Sequence, residues 1–343
     1  MSSKVGIREV AKAAGVSVTT VSHALNDVGG ARVSEETKLR VQAVAREMNY
    51  APNRLASGLR NQRSGTIGFI SDEISTTPFA GRMILGAQDA AKKKGLLLLL
   101  LNTAGDEEVE DAEIRALLQH QVDGIVYATM YHRHVEIPEL LNGVPTVLAD
   151  ASSPRAQVSS VVPDEERGAH TAVSELLAAG HRRIGFATNQ DNIPATRQRL
   201  AGYKKALHDF GVDFDPALVV PEESITAGGF RAAARLLSLA DRPTALFCFN
   251  DRMAMGAYQA AAAAGLRIPA ELSVIGFDNL EIIAGNLLPA LTTMQLPHYE
   301  MGVWAIEQLE KEIARPAGTD DSVQRVLLDC PLVRRDSVAP PSR

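Results

Sequence analysis

Ile67-Gly68-Phe69 and Ile184-Gly185-Phe186 open two stretches of the chain with the same punctuation. Gly86 and Gly95 follow Gly68 at intervals of eighteen and nine residues, and Gly202 and Gly211 follow Gly185 at seventeen and nine. Around these marks, short apolar runs alternate with segments of helical periodicity. Strands are expected at 66–70, 96–101, 124–128 and 146–149, then again at 184–187, 218–220, 244–249 and 273–277. Helices are expected near 79–94, 107–120, 165–179, 194–210, 228–239, 251–264 and 298–313. Strands that are continuously apolar rather than alternating are buried on both faces, which is the mark of a parallel sheet covered by helices. Two such units in tandem are two doubly wound α/β lobes. The carboxyl ends of the strands then face a cleft between the lobes, where a ligand is expected.

The N-terminus follows a different pattern. Across residues 7–26, Val10, Ala11 and Ala14 share one helical face, and Gly15 permits a tight turn. Val16 fills the corner, and Ser17 is suited to cap a second helix whose inner face is Val21, Ala24 and Leu25. Small Ala11 allows the two helices to cross closely, as a helix-turn-helix requires. The outer face of the second helix shows Val18, Thr19, Ser22, His23 and Asn26, short polar groups that suit a major groove. A third helix, opened by Ser34 and running from about 35 to 49, would turn Leu39, Val41, Val44, Ala45 and Met48 inward. Charge supports a DNA-facing head. Residues 1–63 hold ten Lys and Arg against five Asp and Glu, whereas the rest of the chain carries a balance of −11.

Several blocks in order resemble the lactose-repressor (LacI/GalR) family of bacterial transcription regulators. They are Glu-Val-Ala-Lys-Ala-Ala-Gly-Val-Ser at 9–17, Thr-Val-Ser-His at 20–23, Asn-Tyr-Ala-Pro-Asn-Arg-Leu-Ala at 49–56 and Ser-Gly-Thr-Ile-Gly at 64–68. Further along stand Gly-His-Arg-Arg-Ile-Gly-Phe at 180–186, Asn-Asp-Arg-Met-Ala-Met-Gly-Ala at 250–257, Ser-Val-Ile-Gly-Phe-Asp-Asn at 273–279 and Pro-Ala-Leu-Thr-Thr at 289–293. The resemblance implies an all-α head at 1–50, a hinge at 51–64 and a periplasmic-binding-protein-like body at 65–343. In the body, lobe 1 would hold about 65–162 and 293–323, and lobe 2 about 163–290 and 324–336. It further implies base readout by Val18, Thr19 and His23, and phosphate contacts from Thr20, Ser22 and Asn26. His23 stands where arginine is frequent, so a shorter single contact replaces a bidentate one. At the hinge, Asn53, Ala56 and Leu59 match DNA-contacting positions, with Leu59 as a wedge between base pairs. Gly58 weakens a seven-residue helix that is already below the length stable alone, so this linker is expected to fold on DNA.

In the body, the resemblance assigns effector contacts to Arg199, Asn250 and Asp278, with Phe79 packing on the effector ring. The strand ends add Asp72, Tyr127 and Asp150 to that cleft. Carboxylates and amides beside one arginine suit a polyhydroxylated ligand, a sugar before a purine-like corepressor. Two heads imply a twofold dimer on a near-palindromic operator, with a central CG step implied by the family. The C-terminal tail lacks leucine heptads, which argues for a dimer rather than four chains.

Alternatives meet obstacles in the sequence. A solute-binding protein would need an export signal and no basic head. An enzyme on this fold would need a phosphate-cradling or nucleophile motif, and G-x-G-x-x-G, G-x-x-x-x-G-K-[ST] and G-x-S-x-G are missing from the sequence. Cys248 and Cys330 are too few for a disulfide framework, and no apolar run is long enough to span a bilayer, so a cytoplasmic, membrane-free protein is expected. His132 and His134, near His120, form a His-x-His read as a surface loop; neither metal nor cofactor is expected.

Overall fold

The computed structural model describes residues 5–26, 33–50, 63–72, 80–155, 157–315 and 323–342, and the chain divides into two compact units, Met1–Gly65 and Thr66–Arg343. In the first, α1 (Ile7–Ala14) ends at Gly15, whose φ of +66° makes the turn. The hydroxyl of Ser17 caps α2 (Val18–Asn26) by accepting from the Thr20 amide at 3.0 Å. Ser34 caps α3 (Glu35–Glu47) by accepting from the Thr37 amide at 3.3 Å. Val10, Ala11, Ala14, Val21, Ala24, Val41 and Ala45 form the core of this unit. One expectation fails here: Leu39 is 61% exposed. The buried stripe of α3 runs through Val41 and Ala45, and a residue two positions before Val41 lies some 200° away around the helix.

The second unit contains two six-stranded sheets among the described residues. Sheet 1 is built from β1 (Thr66–Ser71), β2 (Leu97–Asn102), β3 (Gly124–His134), β4 (Thr146–Ser152), β5 (Ser159–Pro163) and β11 (Arg325–Leu328). Its order is β11-β5-β4-β3-β1-β2, parallel throughout. Sheet 2 is built from β6 (Ile184–Asn189), β7 (Val219–Glu222), β8 (Ala245–Cys248), β9 (Ser273–Asp278), β10 (Thr292–Gln295) and β12 (Leu332–Val333). Its order is β12-β10-β9-β8-β6-β7, with only β12 antiparallel. The helices are α4 (Ala80–Lys93), α5 (Glu107–Gln119), α6 (Glu165–Ala178), α7 (Pro194–Asp209), α8 (Thr226–Leu237), α9 (Asp251–Ala263), the short α10 (Glu281–Ala284) and α11 (His298–Ala314).

The repeat has a packing explanation. A Cβ on Gly68 would press on Leu117, and one on Gly185 on Leu246, each under 3 Å, so both first strands need a bare α-carbon beneath a helix or neighbouring strand. Gly86 lets α4 cross α11, and Gly202 lets α7 cross α6. Gly95 and Gly211 end α4 and α7 at φ +69° and +68°.

The chain passes between lobes three times, at points displaced from those expected. β10 pairs with β9, so residues 292–295 belong to lobe 2, and the crossing follows Leu296. β11 pairs with β5, so residues 325–328 remain in lobe 1. The pattern is quasi-symmetric. β5 of lobe 1 feeds α6, which packs in lobe 2, and β10 of lobe 2 feeds α11, which packs in lobe 1. β2 also departs from expectation: it is an edge strand, and Leu97 is 53% exposed, so the leucine run is not a buried strand. No helix of the described residues is long and apolar enough to cross a membrane.

Candidate nucleic-acid interface and ligand cleft

The first turn of α2 carries Val18 and Thr19 into solvent, over a core anchored by Val21 and Ala24. Thr20, Ser22 and His23 are half-buried along the next turn, and the Thr20 hydroxyl lies 2.8 Å from that of Ser17. Asn26 closes the helix. A rigidly capped helix with its N-terminal side chains exposed is the arrangement by which such a helix reaches base edges. Asn53, Ala56, Leu59 and Phe79 lie outside the described residues.

In the body, the polar strand ends gather around Arg199 of α7, which is buried. Its Nε donates to Glu165 at 2.6 Å, Nη1 donates to the Phe249 carbonyl, and Nη1 lies 3.8 Å from Asp278. The guanidinium carbon lies 4.4 Å from the ring centre of Phe249 and 3.8 Å from that of Phe277, which favours a cation at this position. Asp150 at the end of β4 and Asp278 at the end of β9 occupy matching strands of the two sheets. Both are buried, and both adopt left-handed backbone, φ +54° and +110°, a cost of order 1 kcal/mol or more for a non-glycine residue. Glu165 and His298 are likewise equivalent, as the buried first residues of the two crossover helices. His298 Nε2 stands 4.0 Å from Asp150.

Four carboxylates in the reach of Arg199, those of Asp150, Glu165, Asp251 and Asp278, are buried, and two of them, Glu165 and Asp278, lie within 4 Å of its guanidinium. Burial pushes the Asp150 and Asp278 carboxyls well above the ordinary range; the charge of Glu165 adds to the effect, and Arg199 opposes it. Burial also raises Asp251 to about 7, although Thr293 and the Leu280 amide donate to it and pull the other way. Burial lowers His298 to about 4, aided by Arg82 and Arg199, so its imidazole is neutral near pH 7.

The expected residues divide. Arg199, Asp150 and Asp278 come together. Asp72 ends β1 but is paired with Arg133 at 2.7 Å. Asn250 caps α9, its Oδ1 accepting from the Met253 amide at 2.8 Å, and one of its two Nδ2 hydrogens goes to the Ser224 carbonyl at 3.0 Å. That capping role was signalled by its place directly before a helix. Tyr127 donates its hydroxyl to Glu110 of α5 and belongs to the core cluster that holds Ile114 and Leu117. The surface loop expected at His132 is corrected: β3 continues through it, and His132 is buried. Sequence reasoning missed Glu165, His298, Thr188 and Thr196. The buried Thr188 and Thr196 hydroxyls, His132 Nδ1 and Asp150 Oδ1 all lack a hydrogen-bond partner, which is costly unless a ligand or water engages them.

Asp150→Asn is therefore expected to stabilise the ligand-free protein at pH 8 by about 1–2 kcal/mol, because it removes an unpaired buried charge and asparagine tolerates left-handed backbone. A carboxyl whose folded pKa is raised contributes fully below its unfolded value near 4 and loses that contribution as pH rises. The gain should thus grow from pH 5 to pH 8. Melting curves at the two pH values check this, and a variant less stable than wild type at pH 8 would refute it.

Residues 64–335 match the model of periplasmic binding proteins and the sugar-binding domain of the LacI family, and residues 6–53 match that of the bacterial regulatory proteins of the lacI family. The HTH-type transcriptional regulator DegA of Bacillus subtilis is 34% identical, over 98% of this chain and 99% of its own length. The ribose operon repressor of Haemophilus influenzae is 32% identical, over 97% and 98%. The lac repressor dimer bound to operator superimposes with a TM-score of 0.77, with 26% identity over 98% of this chain and 100% of that one. With a capped helix-turn-helix in one unit and two parallel-sheet lobes in the other, the chain belongs to the lacI family of bacterial regulatory proteins.

Proposed function

We propose that this protein is a transcriptional repressor that binds a near-palindromic operator as a dimer and is controlled by a sugar in the inter-lobe cleft. The observation that carries the reading is the exposed first turn of α2, fixed above a packed core by Gly15 and the Ser17 cap. Val18 packs on a thymine methyl, and Thr19 and His23 donate to or accept from base edges; Thr20, Ser22 and Asn26 hold phosphates. Asn53, Ala56 and Leu59 carry the hinge into the minor groove, with Leu59 wedging a central CG step. In the cleft, Arg199, Asp150 and Asp278 hold effector hydroxyls, joined by Asp72, Asn250 and Phe79 when the lobes rearrange around the ligand.

A dimer is supported by apolar side chains left in solvent: Leu85 of α4, Leu97 and Leu100 of β2, Phe230 of α8, and Ile282 and Leu288 at α10. The tail lies against lobe 2, where the Ser337 hydroxyl donates to the Val274 carbonyl at 2.6 Å and accepts from the Thr292 amide at 2.8 Å. Because the effector must favour one lobe arrangement to shift operator affinity, operator binding shifts effector affinity by the same factor.

Selection of duplexes from a random pool by the purified protein, repeated with a panel of sugars and purines, tests the reading. A near-palindrome with a central CG step, released or tightened by one sugar, is the expected result. On that operator, Leu59→Ala is expected to lower affinity at least tenfold, because the wedge and the bend it permits are worth a few kcal/mol. Failure to enrich any palindrome, with or without ligands, would sink the proposal.

A further inference from the structure

Between the pairs Ala128↔Ala149 and Arg133↔Ala151, β3 advances five residues while β4 advances two, so residues 129–132 bulge out of the ladder. The bulge is fastened at its base: the Thr129 hydroxyl lies 2.6 Å from the carbonyl of Asp150 and 3.0 Å from that of Tyr131. It is held at its far side by Arg133, whose Nη2 pairs with Asp72 at 2.7 Å. β3 packs against α7 of lobe 2, and Arg197 and Arg199 of that helix are among the charges that bear on His132 of the bulge. His132 is 4% exposed, and its Nδ1 has no partner. Asp150 Oδ1, Thr188 Oγ1 and Thr196 Oγ1 are in the same condition on the elements that meet here, β4, β6 and the first turn of α7.

We infer that His132 is a specificity-determining residue of the cleft, its Nδ1 engaging a hydroxyl of an uncharged polyhydroxylated ligand. The inference rests on the proposed reading of the cleft as an effector site and deepens it. An imidazole ringed by His134, Arg199 and Arg197 is held neutral, its pKa lowered chiefly by burial to about 4. A neutral imidazole nitrogen either donates or accepts according to tautomer, and a hydroxyl answers either. The threonine hydroxyls have the same ambivalence. A phosphate or carboxylate, which only accepts when ionised, would instead meet the buried oxygens of Asp150, Asp278 and Glu165.

The test uses the full chain and its Asn and Phe variants. His132→Asn places a polar atom near the position of Nδ1, and His132→Phe fills the space without one. Thermal unfolding is followed with D-ribose, D-xylose, D-glucose and cellobiose, with ribose 5-phosphate and glucose 6-phosphate, and with hypoxanthine, each in millimolar excess. Melting without ligand, and binding of the selected operator without ligand, show that each variant folds. The expected result is a shift by one of the uncharged sugars, with affinity falling about tenfold in His132→Phe and within about threefold of wild type in His132→Asn, the value of one hydrogen bond in a buried site. An uncharged-sugar shift equal in wild type and His132→Phe overturns the inference and leaves the cleft reading standing. Stabilisation by the phosphates or hypoxanthine alone overturns the ligand class. A wild type that no probe shifts counts against the sugar reading and this inference together.

Discussion

Arg199→Met is expected to lose about 3–5 kcal/mol of stability at pH 8, the usual cost of stranding the partners of a buried ion pair, and to recover much of it by pH 5. Methionine fills the slot between Phe249 and Phe277 but leaves Glu165 without the donor at 2.6 Å and Asp278 without the charge at 3.8 Å. In the wild type Arg199 lowers the Asp278 and Asp150 carboxyls against the upward push of burial, with a smaller contribution from Arg252 at Asp278. Without it, both rise further. Groups raised in the folded state take up protons on folding, so their penalty is small below about pH 4 and grows as pH rises through the folded values. Asp251, raised to about 7, places one such window between pH 4 and 7 in the wild type itself. Urea unfolding at pH 5, 6.5 and 8 reads the difference directly. A deficit below 1 kcal/mol at pH 8, or one that does not narrow in acid, would mean that the carboxylates reach water when the arginine is gone. Arg199→Lys should not rescue it, because an ammonium cannot lie flat between two rings while donating to Glu165 and the Phe249 carbonyl.

That cluster shows where the sequence is readable and where it is not. The turn at Gly15, the caps at Ser17 and Ser34, and the strands that begin at Thr66, Gly124, Thr146, Ile184 and Ser273 follow from local rules, because their signals lie within a few residues of the structure they specify. β10 and β11 escaped because four-residue strands with polar or solvent-facing positions carry no periodicity of their own; their partners, β9 and β5, define them. Glu165 and His298 escaped for a similar reason. A polar residue at the start of a helix is ordinarily a solvated first-turn group, and these two are buried where the chain crosses between lobes. His132, in the polar run Tyr-His-Arg-His, is hidden by the bulge and by lobe 2 rather than by its neighbours in sequence. Asp150 and Asp278 were legible as strand-end carboxylates, but not as equivalent residues in left-handed backbone.

The same duplication makes the second large effect a matched comparison. Gly86→Ala in α4 is expected to destabilise by about 3 kcal/mol or more, and Gly81→Ala, five residues earlier in the same helix, to stabilise by about 0.5 kcal/mol. Alanine is the better helix former at both positions, by up to about 1 kcal/mol. At Gly81 a Cβ meets nothing within 4 Å, so the propensity decides. At Gly86 it would stand 2.0 Å from the Tyr299 carbonyl oxygen of α11, and backbone cannot turn aside as a side chain can. Reciprocally, Gly302 of α11 would meet the Met83 carbonyl at 2.1 Å, so neither helix has a way to retreat without opening the other contact. Gly202→Ala is the lobe 2 counterpart, with its Cβ 2.1 Å from the Glu166 carbonyl, and should cost as much. Thermal melts of the three variants give the order: Gly86→Ala and Gly202→Ala fall by some 6–10 °C, and Gly81→Ala rises by a degree or two. A Gly86→Ala protein that melts with the wild type would show that α4 and α11 slide freely. The crossover helix would then be a loose tether, and the spacing shared by Gly86 and Gly202 would have no packing cause.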